Sequence, residues 1–511
     1  MTAERLSNLN VIAGPARLPG YTPADHGAGI VHLGVGAFHR AHQAVITDDA
    51  LATDGGDWRI IGVSLRSEAM AQALNPQNGL YTLIECGDAG TSARVIGAIS
   101  RVISVDPKAT LAALCDPAIR IVTITVTEKG YAIDRSTRAP DPRDPVVVAD
   151  LANSHAPCGI LGLLCEALEQ RRAADVDPFT VLSCDNLPEN GALLRDGLVG
   201  FARLSGNNDL ADWIIDNVAF PSSMVDRITP AATSATYEEA VNQTGCEDRA
   251  AVETEPFIQW IIEDDFPTGR PQWEAGGALF VDEVAPYERM KLTMLNGSHS
   301  MLACAGFLAG RKFVRDVMSD PDLCVLVKGH LAASADLLPT LTGVDFSDYA
   351  DALAERFRNP AIDHQTYQIA TDGTKKLPQR IFQPAKQALE DGKDLRPFAF
   401  ATAMWMRYCM GVLDDGTRFD LKDPRSAELT AALSKAPQTA SDISKVLHEL
   451  PNLIPMELSA SNEWRRHIED VLSAVLEHGC LAAIQHEARQ EGAQSIEPQH
   501  ETRRIPEEAP E

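Results

Sequence analysis

Positive charge is in short supply in this chain of 511 residues: Lys and Arg number 45 against 72 Asp and Glu, a formal charge of −27. Such an excess repels phosphate backbones and anionic lipid, so neither nucleic acid nor a membrane is the expected partner. A small anionic substrate is not excluded, because a pocket can be locally basic inside an acidic protein. Paired cysteine motifs are also missing. Among ten cysteines no two form Cys-x-x-Cys, and none falls in a Cys/His spacing suited to zinc. No metal site is therefore expected, and the thiols read as reduced side chains of a cytoplasmic protein. The N-terminal MTAERLSNLNVIAGPARLPGY does not have the basic-then-apolar order of a secretory leader. Long apolar runs are absent too. The one uncharged stretch, Leu292 to Gly310, carries Asn296, Ser298, His299 and Ser300 in its first half, all costly in lipid. It fits a buried helix with polar residues aimed at a site.

What is present is a globular composition, 45% hydrophobic and 23% charged, long enough for two to four domains. The first half alternates short β-like segments with helical ones. The β-like segments are 29–34, 58–64, 80–86, 119–126 and 179–184; helical patterns cover 41–52, 111–115 and 159–172. This alternation predicts βαβ units, and hence an α/β fold with a mostly parallel, Rossmann-type sheet covered on both faces. Beyond Pro286 long helical patterns take over: 288–308, 321–333, 348–357, 399–412 and 460–478. Pro286 suits the first turn of a helix. The expected organisation is a first domain over 1–285 built on the parallel sheet, a mainly α-helical domain over 286–488, and a disordered acidic tail over 489–511. That tail has three prolines and no aromatic residue.

The first strand runs into Gly34-Val35-Gly36-Ala37-Phe38-His39-Arg40. Gly-x-Gly between a strand and a helix admits a pyrophosphate: Gly34 allows the tight turn, Gly36 lets backbone approach the ligand, and the helix start offers N–H donors. His39 takes the third glycine position, and an ordinary tight turn would look similar. After the second strand, Leu65-Arg66-Ser67-Glu68-Ala69 offers two readings. Glu68 can accept from the ribose hydroxyls of NAD, and Arg66 can pair with the extra phosphate of NADP. Both can also be solvated loop charges. NAD is the expected cofactor, with NADP not excluded.

The richest segment is Glu288-Arg289-Met290-Lys291-Leu292-Thr293-Met294-Leu295-Asn296-Gly297-Ser298-His299. On an α-helix, taking Lys291 as zero, Glu288 falls near ~60°, His299 near ~80° and Asn296 near ~140°. Four polar residues thus share one arc. Such an arc holds what alcohol oxidation needs. A lysine neutralised by burial can take the hydroxyl proton, an amide can hold the developing oxyanion, and His299 can orient a neighbouring hydroxyl. Glu288, an i,i+3 neighbour of Lys291, can relay the proton. An ordinary helix with a surface ion pair would show the same spacing. A second cluster, Asp185-Asn186-Leu187-Pro188-Glu189-Asn190-Gly191, follows a strand, which faces Asn186 toward the cofactor unless it merely opens an Asx turn. In a third, Asp226-Arg227 is a structural pair or part of the site wall.

With these residues in hand, the segments GVGAFHRAHQA, TVTEKGY (125–131), SCDNLPENG, FPSSMVDRITP and KLTMLNGSHS run in order from Gly34 to Ser300. On them the chain resembles the mannitol dehydrogenase family, the polyol-specific long-chain dehydrogenases. The resemblance implies a Rossmann-type N-terminal domain, a helical C-terminal domain, metal-independent NAD(P) chemistry and a monomer. Carried over, it makes Lys291 the general base, Asn186 and Asn296 the oxyanion hole and His299 a substrate ligand. Glu288 and Asp226 are linked to the base and its proton path. Gly34, Gly36, Ala37, Phe38, Arg66, Glu68, Thr127 and Glu128 become the cofactor contacts. The segment His364-Gln365-Thr366-Tyr367-Gln368, followed by Lys375-Lys376-Leu377-Pro378-Gln379-Arg380, is closer to fructuronate reductases; mannitol enzymes tend to carry arginine at the Gln368 position. His364, Gln368 and Lys376 are the further substrate-binding candidates. His364, Lys376 and Arg380 can supply positive character for a substrate carboxylate, or lie on the surface. The expected activity is interconversion of D-mannonate and D-fructuronate. The alternatives are a mannitol or arabinitol 2-dehydrogenase of the same mechanism and, more remotely, a non-catalytic dinucleotide sensor.

Overall fold

The computed structural model describes residues 3–88, 90–435 and 439–494. The chain divides into two compact units, Met1–Glu288 and Arg289–Glu511.

Five strands form the central sheet of the first unit, all parallel, in the order Ile99–Ser104, Arg59–Ser64, Ala28–Leu33, Ile121–Ile124, Thr180–Ser183. The order reverses beside the first strand in the chain, as in a doubly wound Rossmann sheet. The strands read as near-continuous apolar runs because each face has its own core. Val31, Leu33, Val63, Val122, Ile124 and Val181 pack with Leu163, Leu164, Leu194 and Leu198, from helices Ile160–Ala173 and Asn190–Leu204. Ile30, Ile60, Ile121 and Leu182 enter a second cluster with Val45, Ile46, Trp260 and Trp273. A slip of one residue would exchange these two sets, so burial on both sides fixes the register. Leu33 is level with Val63 and Ile124, and Ile124 with Ser183. Four strand ends therefore release their loops side by side.

Two sequence expectations change here. The strand near 80–86 is not in the central sheet: Tyr81–Gly87 forms a hairpin with Gly90–Ile96 and pairs with Val252–Thr254. Its place is taken by Ile99–Ser104, an edge strand only partly buried and hence less apolar in sequence. The helix expected over 41–52 is two pieces, Ala37–Ala41 and Gln43–Asp54, broken at His42 (φ −127°, ψ −89°). A further three-stranded sheet, Ser223–Asp226, Gln259–Glu263 and Ala278–Val281, carries Asp226 at a strand end. Next to it Arg227, whose side chain is fully buried, pairs with Glu85 and donates to the carbonyls of Ala41 (2.7 Å) and Glu255 (3.0 Å). It is a structural tie between the helix break and the neighbouring sheets.

The second unit is helical. Arg396–Tyr408 is buried from Pro397 onward and packs against Ser298–Leu308 and Asn462–His478, as a helix apolar all round must. The helix expected over 288–308 is three segments. Ala285–Met290 is α-helical, with Pro286 in its first turn; Lys291–Gly297 is a π-helix; Ser298–Leu308 is α-helical again. Pro378–Phe382 is a second π-helix, and it packs on the first. A Cβ on Gly297 would lie 2.9 Å from the carbonyl oxygen of Arg380, so only glycine allows this approach. The tail expected from 489 begins inside a helix, Cys480–Gln494; the rest of it lies outside the described residues. Among the described residues no helix is long and apolar enough to cross a membrane.

Arg227→Met should lower the unfolding free energy by ~3 kcal/mol, since it strands Glu85 and two buried carbonyls. Urea titration checks this; a loss below ~1 kcal/mol would mean the tie is replaceable by water.

Candidate active site

At the end of the first strand Gly34 has φ +106°, and a Cβ there would sit 2.0 Å from the carbonyl oxygen of Thr125. No other residue closes this turn. Gly36 is different: its backbone is extended, and a Cβ would find only the Gly34 oxygen, at 3.9 Å. Open space above the main chain is what a bound pyrophosphate requires. Ala37 and Phe38 begin the short helix, with the Phe38 ring 4.9 Å from that of His42. His39, in the third glycine position, is buried with its ring stacked 3.3 Å from that of His32. His32 is held by Thr123 Oγ1 (2.8 Å) and Thr125 Oγ1 (2.9 Å). Burial lowers the His32 pKa to about 3 and holds that of His39 well below the usual value. A neutral imidazole stack thus replaces the close helix–strand contact that glycine normally permits.

The loops from the neighbouring strand ends carry the remaining candidates. Arg66 and Glu68 are exposed after Arg59–Ser64, and Glu68 accepts from Gln72 (3.1 Å). Thr127 is exposed with φ +67°, a strained conformation for a β-branched residue, and Glu128 pairs with Arg135 (3.1 Å). Asp185 holds that strained loop. Its carboxylate accepts from Val126 N (2.9 Å), Thr127 N (3.0 Å) and the Tyr131 hydroxyl (2.8 Å). Exposed Asn186 follows it directly. Asn190, fully buried, donates to the carbonyls of Asp185 (3.1 Å) and Ser223 (2.7 Å) and accepts from Ser223 N (2.9 Å). It therefore couples the Asn186 loop to the strand bearing buried Asp226. Glu288 Oε2 accepts from Glu189 N (3.3 Å) and lines a groove of about 470 Å³ with Glu189, Glu263, Asp265 and Glu283. Sequence reasoning singled out only Asn186 from the cluster 185–191, giving no role to Asp185 or Asn190, and missed His32, whose signal was a polar residue inside an otherwise apolar strand.

In the helical unit Lys291 is 8% exposed and opens the π-helix; Asn296 and His299 are half-buried. In α-helical geometry Asn296 would point about 140° away from Lys291. A π-helix bonds i to i+5, so residues five apart turn toward one face. The π segment thus groups Lys291 with Asn296 more closely than the sequence arithmetic did. The His299 ring lies 4.6 Å from Phe357 and 6.0 Å from His364. Burial and nearby Arg356 lower the His364 pKa. Lys376 Nζ donates to the carbonyls of Ile369 (3.2 Å) and Thr371 (2.7 Å), and Gln368 is exposed. Among the described residues no group of three His, Cys, Asp or Glu side chains is arranged to hold a metal.

Two family models cover the chain: the mannitol dehydrogenase Rossmann domain over residues 28–275 and the mannitol dehydrogenase C-terminal domain over 283–474. The chain belongs to the mannitol dehydrogenase family. Within this family it is 42% identical to the uncharacterized oxidoreductase YeiQ of Escherichia coli (strain K12), over 89% of this chain and 93% of that protein. It is 39% identical to the D-mannonate oxidoreductase of the same strain, over 92% of this chain and 98% of that one. A solved structure, Pseudomonas fluorescens mannitol 2-dehydrogenase in ternary complex with NAD and D-mannitol, is 38% identical with a TM-score of 0.75; it covers 96% of this chain and 100% of its own. Such family members are oxidoreductases, and so is this chain. Overall similarity does not separate a sugar acid from a polyol as its substrate.

The buried imidazoles predict acid sensitivity. His32 has its pKa depressed from 6.5 to about 3 in the fold. The unfolded chain therefore binds the extra proton first, and stability, complete above pH 6.5, falls as pH drops toward 3. The slope is ~1.4 kcal/mol per pH unit for each such histidine. Denaturant titrations at pH 7, 6 and 5 should show it, and His39→Leu should flatten it; an unchanged slope would remove His39 from the account.

Proposed function

We propose that this protein is an NAD(H)-dependent secondary-alcohol dehydrogenase that interconverts D-mannonate and D-fructuronate, with Lys291 as general acid/base. The observation that carries the mechanism is the π-helix bearing buried Lys291 and Asn296, with His299 just beyond it.

Gly34, Gly36, Ala37 and Phe38 would hold the dinucleotide's pyrophosphate, Glu68 or Arg66 its adenosine ribose, and Thr127 and Glu128 the next part of the molecule. The open main chain at Gly36 and the parallel strand ends around it support this fit. When bound, NAD supplies the hydride acceptor for alcohol oxidation and, reduced, the donor for ketone reduction. Lys291 takes the hydroxyl proton as the carbonyl forms and returns it in the reverse direction. The amides of Asn186 and Asn296 donate to the substrate oxygen while it carries negative charge. His299 binds the adjacent hydroxyl and sets which carbon reacts. Glu288 and Asp226 serve the proton path from Lys291; Glu288 itself stands in a groove that four further carboxylates line.

The sugar-acid substrate is favoured by two cationic residues that follow Gln368, namely Lys376 and Arg380. A panel of fructuronate, fructose and the pentuloses with NADH and NADPH tests it. Fastest NADH oxidation with fructuronate is expected; turnover of fructose with none of fructuronate would make the protein a mannitol-type dehydrogenase. Lys291→Ala should cut kcat by at least about 10³-fold while NADH still binds, seen as unchanged fluorescence titration. Full activity in that variant would overturn the base assignment, and absence of turnover in the unmodified protein with every substrate would favour a sensor.

A further inference from the structure

Arg380 lies on the second π-helix, whose backbone meets the first one at Gly297. A guanidinium offers five N–H donors in a planar fork. Within the described residues Arg380 makes one side-chain hydrogen bond, from Nη1 to Ser300 Oγ at 3.3 Å, and no carboxylate is paired with it. It is half-buried, and burial alone lowers its pKa. A partly desolvated arginine without an acid partner is costly in isolation. It is more unusual in a chain with 72 acidic residues.

The surroundings say what would complete it. Lys376 is near enough that the two cations repel, which lowers the Lys376 pKa after burial; Asp372 and Asp423 oppose that shift. Asp423 itself accepts from the backbone and hydroxyl of Thr374. Lys376 spends two donors on backbone carbonyls, so Arg380 is the group with donors to spare. Ser300, in turn, donates to the carbonyl of Asn296 (3.0 Å), one turn back along the same helix. A turn is about 5–6 Å of rise. The spare guanidinium is thus tied, through Ser300, to a point about one turn from Asn296.

We infer that Arg380 is the specificity-determining cation of this site: its fork binds the carboxylate of a sugar acid whose reacting carbon lies at the other end of the chain, as C5 and the C1 carboxylate do in D-mannonate. This rests on the proposed sugar-acid activity and assigns its selectivity to one side chain. Arg380 pairs bidentately with the carboxylate, and Ser300 keeps the fork oriented. A polyol leaves the guanidinium without an anion and gains nothing from it. Gln368 is uncharged, and burial and nearby Arg356 disfavour the charged form of His364, which concentrates the selectivity in Arg380.

The test compares the protein with Arg380→Gln and Arg380→Lys, using fructuronate and fructose as substrates and D-gluconate against D-glucitol as ligands of the NADH complex. In Arg380→Gln the ratio of kcat/KM for fructuronate to that for fructose should fall about 10–100-fold, chiefly through KM, the range of one charged hydrogen-bonding partner lost. Arg380→Lys should recover part of it. An unchanged ratio, or equal loss on both substrates, overturns the assignment. If the unmodified protein reduces fructose but not fructuronate, the sugar-acid activity fails. The ligand pair then decides separately: gluconate binding lost in Arg380→Gln upholds the carboxylate site, and no preference for gluconate over glucitol overturns it.

Discussion

The backbone between Lys291 and Gly297 is wound one residue wider than an α-helix, and the proposed role of Lys291 and Asn296 depends on that choice. An α-helix would spread Lys291 and Asn296 across more than a third of its circumference. The wider turn brings the amine of Lys291 and the amide of Asn296 toward one face, and it packs on a second π segment, Pro378–Phe382. Glycine at 297 is the contact that lets the two backbones meet. A π turn has weaker packing of its own hydrogen-bonded ring than an α turn, so it persists where tertiary contacts compensate; here these include buried Met294, Leu295 and Thr293.

In the Rossmann unit the comparable constraint is polar. The loops at four neighbouring strand ends would be free to move if only their own sequence held them. Asp185 and Asn190 prevent this for two of them. One fastens the strained Thr127 loop; the other joins the Asn186 loop to the strand of Asp226. Each acts mainly on backbone groups, Asp185 also on the Tyr131 hydroxyl. The His32–His39 stack does similar work below the glycine turn, at the cost of burying two neutral imidazoles.

Electrostatics separates the surface from the interior. A net charge of −27 is distributed over a surface that keeps polyanions away. Lys376 and Arg380 stand close together within one short stretch, with Asp372 and Asp423 acting on Lys376 from nearby. Long-range charge and local charge answer different questions: the first concerns solubility and encounter, the second the proposed selection of a small anion.

The alternation of apolar strands and helices, the Gly34-x-Gly36 turn, and the polar stretch from Glu288 to His299 were legible in the residues, because burial, glycine and ionisable side chains leave local marks. They sufficed for the α/β class, a following helical region and the family to which the chain belongs. Three features were decided only by tertiary structure. Ile99–Ser104 joined the central sheet because an edge strand needs only one partner, so its sequence is weakly apolar. The π-helix arose because hydrogen-bond register inside a helix is set by packing rather than by composition. The partners of Asp185, Asn190 and Arg380 lie up to tens of residues away in the chain, and whether a charge is paired is a matter of distance in space, which no local pattern records.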